Sequence, residues 1–199
     1  DQTKPVTIKK FQLIESTYPV EPMGSFACSD ERLDKIWEIS ARTLKLCMED
    51  TFTDCPLYEQ TLWVGDARNE AVFGFTAFGA EDIAKRCVRL AGESLEKYPM
   101  IQCQVPSTWE TLLPAWSFLW GISVWDYYWY TGDKAFLEAT WPWVMKNLEG
   151  AASFSDERPP PRSREPRSRH AGRGRLLPPC EWRLAGREPG PAGVPGVGR

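Results

Sequence analysis

Three carboxylates, Asp54, Glu59 and Asp66, stand close together in the sequence and could perform acid/base chemistry. Glu59 and Asp66 are seven residues apart, so a continuous helix would place both on one face. Pro56 and Gly65 indicate instead an irregular loop that leads into a helix capped by Asp66. Catalytic residues are often on loops, but acids also commonly cap helices, and spacing alone favours the capping role.

Apolar residues around these acids favour a catalytic role. They are Phe52, Cys55, Pro56, Leu62, Trp63 and Val64. Among such groups the charged form of a carboxylic acid is desolvated, so the pKa of the acid rises. Cleavage of a glycosidic bond needs such an acid, protonated near neutral pH, to give a proton to the leaving oxygen. The segment is therefore a candidate acid site of a glycosidase.

Other candidate residues have simpler structural explanations. Cys55 could be a nucleophile, but the only histidine is His170, far along the chain, so packing is favoured. Glu110 could act as a base, yet the segment 107–110 has the form of a capping box, which explains this acid. We interpret three further aromatic residues as core rather than as walls of a sugar pocket: Trp109, Trp116 and Trp120.

The order Asp-Cys-Pro-x-x-Glu-Gln-x-x-Trp-x-Gly-Asp-Ala over residues 54–67 resembles the signature of the bacterial α-L-rhamnosidases of glycoside hydrolase family 78. The segments 14–20 and 125–133 are also similar to this family, and the likeness extends over about residues 1–154. The resemblance implies an all-α catalytic domain, an (α/α)6 barrel of six helical hairpins that follows a β-sandwich domain.

The resemblance also implies roles for single residues. Glu59 is the expected general acid, and Asp54 and Asp66 are expected to hold the rhamnose hydroxyls. Trp63 either lines the sugar pocket or packs as an ordinary core residue. Family members invert the anomeric centre, without a metal or cofactor, using a water activated by a second Glu from a later hairpin. We find no counterpart of that base here, and Tyr58 stands where the family often has Arg, which affects the expected sugar preference.

Hydrophobic periodicity predicts helices that would position these acids. The first follows Ser29 and Asp30 as its cap, and the fourth begins near Pro114. The predicted helices cover about 31–48, 66–78, 81–98, 115–130 and 134–148. This gives an incomplete six-hairpin toroid over residues 25–154. Before it, alternation in 6–16 predicts a β-strand, so residues 1–24 are interpreted as the end of an upstream β-domain and a linker.

Residues 155–199 differ sharply from the rest. They contain 10 Arg, 9 Pro and 7 Gly with no Lys, whereas residues 1–154 contain 9 Lys and 5 Arg. Such a segment buries too little apolar surface to offset its chain entropy, so we predict a disordered tail. It could be a basic tail for nucleic acid, but the abrupt change from Lys to Arg favours translation in a shifted frame.

The charge and the cysteine content limit the possible binding partners and the cellular compartment. Residues 1–154 carry 14 basic and 22 acidic side chains, a net charge of −8 that would repel nucleic acid. The six cysteines form no CxxC pair, which favours free thiols in a reducing compartment. No apolar run reaches the length of a membrane span, and the N-terminus does not read as a signal peptide. We therefore predict a cytoplasmic protein that contacts neither nucleic acid nor membrane and whose partner is a rhamnose-containing glycoside.

Two classes of function remain open at this stage. One is an inverting glycosidase that removes terminal α-L-rhamnose with Glu59 as its acid, or a six-hairpin glycosidase for another sugar. The other is a catalytically inactive truncated product or a sugar-binding remnant. A barrel that cannot close would also leave Trp-rich helices exposed and Glu59 in water, so we expect this chain to be inactive alone.

Overall fold

The computed structural model describes residues 6–154 and the backbone of residues 180–184. Within them, five α-helices dominate, as the periodicity predicts. A two-stranded antiparallel sheet accompanies the helices. The elements in chain order are β1 (Gly24–Cys28), α1 (Glu31–Leu46), α2 (Val64–Phe78), α3 (Glu81–Glu93), α4 (Pro114–Thr131), α5 (Lys134–Ser153) and β2 (Cys180–Leu184).

Local chemistry explains where the helices begin and end. Asp30 caps α1 by accepting a hydrogen bond from the backbone N–H of Arg32, at 3.1 Å. Asp133 caps α5 in the same way, through the backbone N–H of Phe136 at 2.9 Å. Gly79 and Gly132 follow α2 and α4 with φ of 61° and 71°, the left-handed conformation that glycine adopts without steric cost.

The helices pack so that α2 and α4 form the centre. α2 contacts α4 extensively and also packs on α3, while α5 packs against α4 and α3. Their shared core contains Phe52, Ile83, Trp120 and Val124, all essentially inaccessible to solvent. α4 is apolar nearly all round, as predicted, whereas α2 carries polar residues in its first two turns, including Asp66, Arg68 and Glu70.

A buried polar network fixes the segment after α3 against α4 and α5. The Asn147 side chain accepts from the backbone N–H of Ile101 at 2.9 Å and donates to the carbonyl of Ser117 at 2.9 Å. The Ser117 hydroxyl donates to the carbonyl of Ile101 at 2.6 Å. This network holds residues 101–104 beside the start of α2, where the predicted site lies.

The outer faces of α4 and α5 remain apolar and exposed, as predicted for a barrel that is not closed. Exposed residues on α4 are Phe118, Ile122 and Trp125, and those on α5 are Trp141, Met145 and Leu148. Among the described residues, no helix is both long and apolar enough to cross a membrane.

The predicted strand at 6–16 is wrong: residues 6–22 form no regular strand, and β1 lies at 24–28 instead. Alternation alone does not provide a hydrogen-bonding partner, and the side chains of Phe11, Leu13 and Ile14 are exposed. The partner of β1 is β2, with Gly24 opposite Leu184. β2 falls within the predicted tail, whose other residues, 155–179 and 185–199, lie outside the described part of the chain.

The cysteines differ in part from the expectation of free thiols. Cys47, Cys55, Cys87 and Cys103 are free. Cys28 is disulfide-bonded, so the prediction is wrong for this residue. The spacing of cysteines in a sequence does not reveal which of them the fold brings together.

Candidate active site

The segment between α1 and α2 is a loop anchored at both ends by the core. Met48 and Phe52 are buried before it, and Leu62 and Val64 are buried after it. Between these anchors, residues 56–60 are exposed. The loop is therefore fixed at its base and projects its tip into solvent.

Asp54 and Thr61 close the base of this loop. The backbone N–H of Asp54 donates to the carbonyl of Thr61, and the backbone N–H of Thr61 donates to Oδ1 of Asp54, both at 3.1 Å. Within the loop, the Gln60 amide donates to the carbonyl of Pro56 at 2.8 Å. Gln60 itself has a φ of 47°, in the left-handed region. Asp54 thus organises the loop in addition to any contact with a ligand.

Glu59 lies at the exposed tip, and its carboxylate is held by a tryptophan. The indole Nε1 of Trp63 donates a hydrogen bond of 2.6 Å to Oε2 of Glu59. The backbone N–H of Glu59 donates to Sγ of Cys55 at 3.4 Å. Trp63 is half-buried, so it combines packing with a polar contact to the predicted acid.

The apolar residues near Glu59 in sequence do not enclose its side chain. Phe52, Leu62 and Val64 turn into the core, while Leu57 and Tyr58 are 71% and 89% exposed beside it. The expectation of a desolvated acid is therefore wrong for Glu59, because the loop directs its neighbours inward and Glu59 outward. The expectation that Glu59 lies in water in this chain is confirmed.

Asp66 lies in the first turn of α2, and the prediction that it caps this helix is wrong. The helix begins at Val64, after Trp63 in the capping position, which makes no side-chain capping bond. A carboxylate in the first turn is favoured by the helix dipole. Burial raises the pKa of Asp66, a hydrogen bond from its own backbone N–H opposes this, and the charges of Asp54 and Glu59 raise the pKa further. The structure thus brings the three predicted acids into one electrostatic cluster.

A fourth carboxylate, Glu70, joins this cluster and was not predicted. It follows Asp66 by one helical turn on α2, and its Oε2 is buried without a hydrogen-bond partner among the described residues. Burial raises the pKa of Glu70 to about 8, and the charges of Asp66 and Asp54 contribute to the same shift. The spacing of four residues from Asp66 was the available signal, but spacing does not reveal burial.

The aromatic and capping predictions near the site have mixed outcomes. Trp120 is buried and its Nε1 donates to the carbonyl of Val88 at 2.9 Å, which confirms the core prediction. Trp116 packs partly against the core. Trp109 is 69% exposed, so the core prediction is wrong for it. No helix begins at the predicted capping box, and Glu110 instead accepts a hydrogen bond from the Tyr98 hydroxyl at 3.1 Å.

Residues 21–166 match the family described as the bacterial alpha-L-rhamnosidase 6 hairpin glycosidase domain. The chain belongs to this family. It is 28% identical, over 144 residues, to an alpha-L-rhamnosidase of Formosa agariphila. That match covers 65% of this chain and 15% of the Formosa protein.

Two solved structures share the fold. A GH78 family rhamnosidase of Bacillus sp. GL1 is 45% identical, with a TM-score of 0.69, over 71% of this chain and 15% of that one. A rhamnosidase from Klebsiella oxytoca, solved with rhamnose bound, is 25% identical, with a TM-score of 0.62, over 69% of this chain and 28% of that one. The chain therefore spans a small part of the length of these relatives, and its helices are a partial six-hairpin domain.

Proposed function

We propose that this chain carries the acid side of the active site of an inverting α-L-rhamnosidase. Glu59 is the general acid, Asp54 and Asp66 hold rhamnose hydroxyls, and Trp63 orients Glu59 and lines the sugar site. The observation that carries the proposal is the hydrogen bond of 2.6 Å from Trp63 to Glu59 at the tip of a pinned loop. A proton donor must be held in one orientation toward the oxygen that it protonates.

The reaction follows from this assignment. Glu59, protonated, gives its proton to the glycosidic oxygen as the bond from that oxygen to the anomeric carbon breaks. A water attacks the opposite face of the anomeric carbon and loses its proton to a second carboxylate. In inverting enzymes the two carboxyl groups are about 6.5–9.5 Å apart, which leaves room for the water. We assign no base among the described residues and propose that it lies elsewhere in the complete catalytic domain.

Two aspartates hold the sugar, one from the helix α2 and one from the loop before it. Asp66 lies at the start of α2, close enough to Asp54 and Glu59 for their charges to act on it. Asp54 uses Oδ1 to pin the loop through Thr61. Carboxylates accept hydrogen bonds from sugar hydroxyls, and such bonds can strengthen as charge develops on the sugar ring. Both residues therefore serve the transition state whatever the leaving group is.

A second candidate function is sugar binding without hydrolysis. Two observations favour it for these 199 residues: the Glu59 side chain is exposed to solvent, and the chain spans 15% of the length of its Formosa and Bacillus relatives. In this exposed position Glu59 lacks the apolar enclosure that surrounds the acid of a glycosidase such as lysozyme. Specificity for another sugar is a further alternative, because Tyr58 stands at the loop tip where the family often has Arg.

The product of the reaction provides the test of the proposed function. In a protein with the complete six-hairpin domain, hydrolysis of an α-L-rhamnoside followed by proton NMR should show β-L-rhamnose first, before mutarotation. With a rhamnosyl disaccharide as substrate, Glu59→Gln should slow its formation by about 10²–10⁴-fold, while Glu49→Gln, an exposed acid just before the loop, should not. The α anomer as first product would contradict the inverting mechanism, and an undiminished rate of Glu59→Gln on the disaccharide would contradict the assigned acid.

A further inference from the structure

A surface cavity of about 270 Å3 opens beside the start of α2, and its lining contains none of the residues given a role in the reaction above. It lies between the end of α3 and the segment 102–109. Its lining includes Tyr98, Gln102, Gln104, Pro106, Ser107 and Trp109. We name it the Trp109 cavity.

Two buried glutamines in the lining of this cavity lack hydrogen-bond partners. Gln102 and Gln104 are 7% and 4% exposed, and the Oε1 atom of each is buried without a partner among the described residues. Buried polar atoms almost always have a hydrogen-bond partner, so these two exceptions point to a partner that is missing. The terminal torsion of a glutamine is broad, so these side-chain amides are not confined to one orientation.

Trp109 supplies an apolar surface at the same place. Its side chain is 69% exposed, although large aromatic residues are usually buried. The Ser107 hydroxyl accepts a hydrogen bond from the backbone N–H of Trp109 at 2.9 Å, which fixes the turn that presents it. A flat aromatic face beside amide groups is suited to a ring with C–H groups on one face and hydroxyls at its edge.

Backbone pairing places this cavity on the acid side of the active site. Trp63 and Gln104 form an antiparallel bridge, flanked by a hydrogen bond of 2.8 Å from the N–H of Val64 to the carbonyl of Cys103. Residues directly opposite in an antiparallel pair project their side chains from the same face. Gln104 therefore lies on the same face as Trp63, whose indole holds Glu59.

From this placement we infer that the Trp109 cavity is the subsite for the leaving group and that it takes a second sugar ring. The inference rests on the proposed function, because the general acid must face the oxygen that joins rhamnose to its leaving group. The leaving group of the bound rhamnoside then lies beside Trp63 and extends toward Gln104. Pockets for drug-sized ligands span about 300–1,000 Å3, so a cavity of this size suits a single ring rather than an extended aglycone.

NMR of the 15N-labelled 199-residue chain tests the assignment. Three probes are added: methyl α-L-rhamnoside, phenyl α-L-rhamnoside and an α-L-rhamnosyl-glucose disaccharide. The disaccharide should shift the Trp109 indole and the side-chain amides of Gln102 and Gln104, whereas methyl rhamnoside should not. Its Kd should be lower than that of methyl rhamnoside by about fivefold, the size of one net hydrogen bond.

Trp109→Ala should remove this advantage of the disaccharide without changing the Kd of methyl rhamnoside. Trp109 is exposed, so the variant should fold, and Trp141→Ala, another exposed tryptophan on α5, is the matched control. Equal shifts with the phenyl rhamnoside would overturn the choice of a sugar ring. Disaccharide shifts at Trp63 but not at Trp109, or no shifts at all, would overturn the subsite. The proposed function is judged separately, by the anomer that the complete domain releases and by Glu59→Gln.

Discussion

The indole N–H of Trp63 donates a hydrogen bond to the carboxylate of Glu59, four residues earlier in the chain. Trp63 also occupies the N-cap position of α2, directly before its first residue, Val64. The orientation of the exposed acid is therefore coupled to a helix of the core, and the two ends of the loop are joined through Asp54 and Thr61. An acid on a loop tip gains in this way the fixed geometry that proton transfer requires.

The proposed role of Glu59 as general acid predicts that the effect of its substitution depends on the leaving group. In a protein with the complete domain, Glu59→Gln should lower kcat for a rhamnosyl disaccharide by about 10²–10⁴-fold, the usual contribution of general acid catalysis. For an activated aryl rhamnoside the loss should be much smaller, because its leaving group needs little protonation. Steady-state kinetics on both substrates measures the difference, and an equal loss on both would show that Glu59 is not the acid.

Asp54 and Asp66 should behave differently from Glu59. Asp54→Asn or Asp66→Asn should lower kcat/KM for the disaccharide and for the aryl rhamnoside by similar factors, since hydroxyl contacts serve both transition states. Glu49→Gln is the matched control and should have little effect. Unfolding curves of each variant show whether the loss of activity comes from a missing sugar contact or from a destabilised fold. This control matters most for Asp54, because its Oδ1 also accepts a hydrogen bond from the backbone N–H of Thr61. A loss confined to the disaccharide would contradict this assignment.

Trp63→Phe tests whether the indole positions Glu59. The variant keeps an aromatic ring for packing but removes the N–H that bonds the carboxylate. We expect kcat for the disaccharide to fall by about tenfold, as for one charge-assisted hydrogen bond, with a smaller change for the aryl rhamnoside. Trp129→Phe on α4 is the control. Unchanged kinetics on both substrates would mean that the hydrogen bond has no part in catalysis.

The helices are predictable from the sequence because their signals are local. Asp30 and Asp133 are capping residues, and Gly79 and Gly132 end helices in the conformation that glycine favours. The strand predicted at 6–16 is wrong because its alternation does not provide a partner strand. α2 starts at Val64 rather than at Asp66, because Trp63 has the extended backbone conformation of an N-cap residue. Trp63 makes no side-chain capping bond, so its residue type gives no signal of the helix start.

Candidate site residues can be proposed from the sequence, but their environment cannot. The order of residues in the motif is enough to propose Asp54, Glu59 and Asp66. Their burial, however, depends on where the loop and α2 pack, and for Glu59 the apolar sequence neighbours are misleading. Glu70 is missed for the same reason: it looks like an ordinary helical acid, and only tertiary packing buries its carboxylate.

Glu70 predicts a stability that declines as pH rises. Its pKa is raised from 4.5 to about 8 in the folded chain, so between these values the folded state binds more protons than the unfolded state. The contribution of Glu70 to the free energy of unfolding is then greatest below pH 4.5 and falls as pH rises toward 8, by an amount on the order of 5 kcal/mol at about 1.4 kcal/mol per unit of pKa. Urea unfolding at pH 5 and pH 8 measures this. Glu70→Gln should flatten the dependence, whereas Glu149→Gln, an exposed acid of α5, should preserve it.

Gly65 lies within the motif, and its lack of a side chain has a steric reason. A Cβ at this position would lie 2.6 Å from the indole ring of Trp116, which covers the start of α2. Gly65→Ala should destabilise the fold by about 1–3 kcal/mol in urea unfolding, the usual cost of overpacking. Gly121→Ala in α4, where a Cβ would meet nothing within 4 Å, should instead gain about 0.5–1 kcal/mol. A stable Gly65→Ala variant would mean that Trp116 can move away freely.

Hydrolysis by these 199 residues alone should be absent. Glu59 is exposed to water, and α4 and α5 present Trp125 and Trp141 on open faces, 52% and 54% exposed. We assign no base among the described residues, and without a base no water is activated to attack the anomeric carbon. We therefore expect no release of aryl alcohol from an aryl rhamnoside, measured by absorbance with purified monomer, even where NMR shows that sugar binds. Turnover of the aryl rhamnoside by the purified monomer would overturn this prediction, because it would show that a base already functions within this chain.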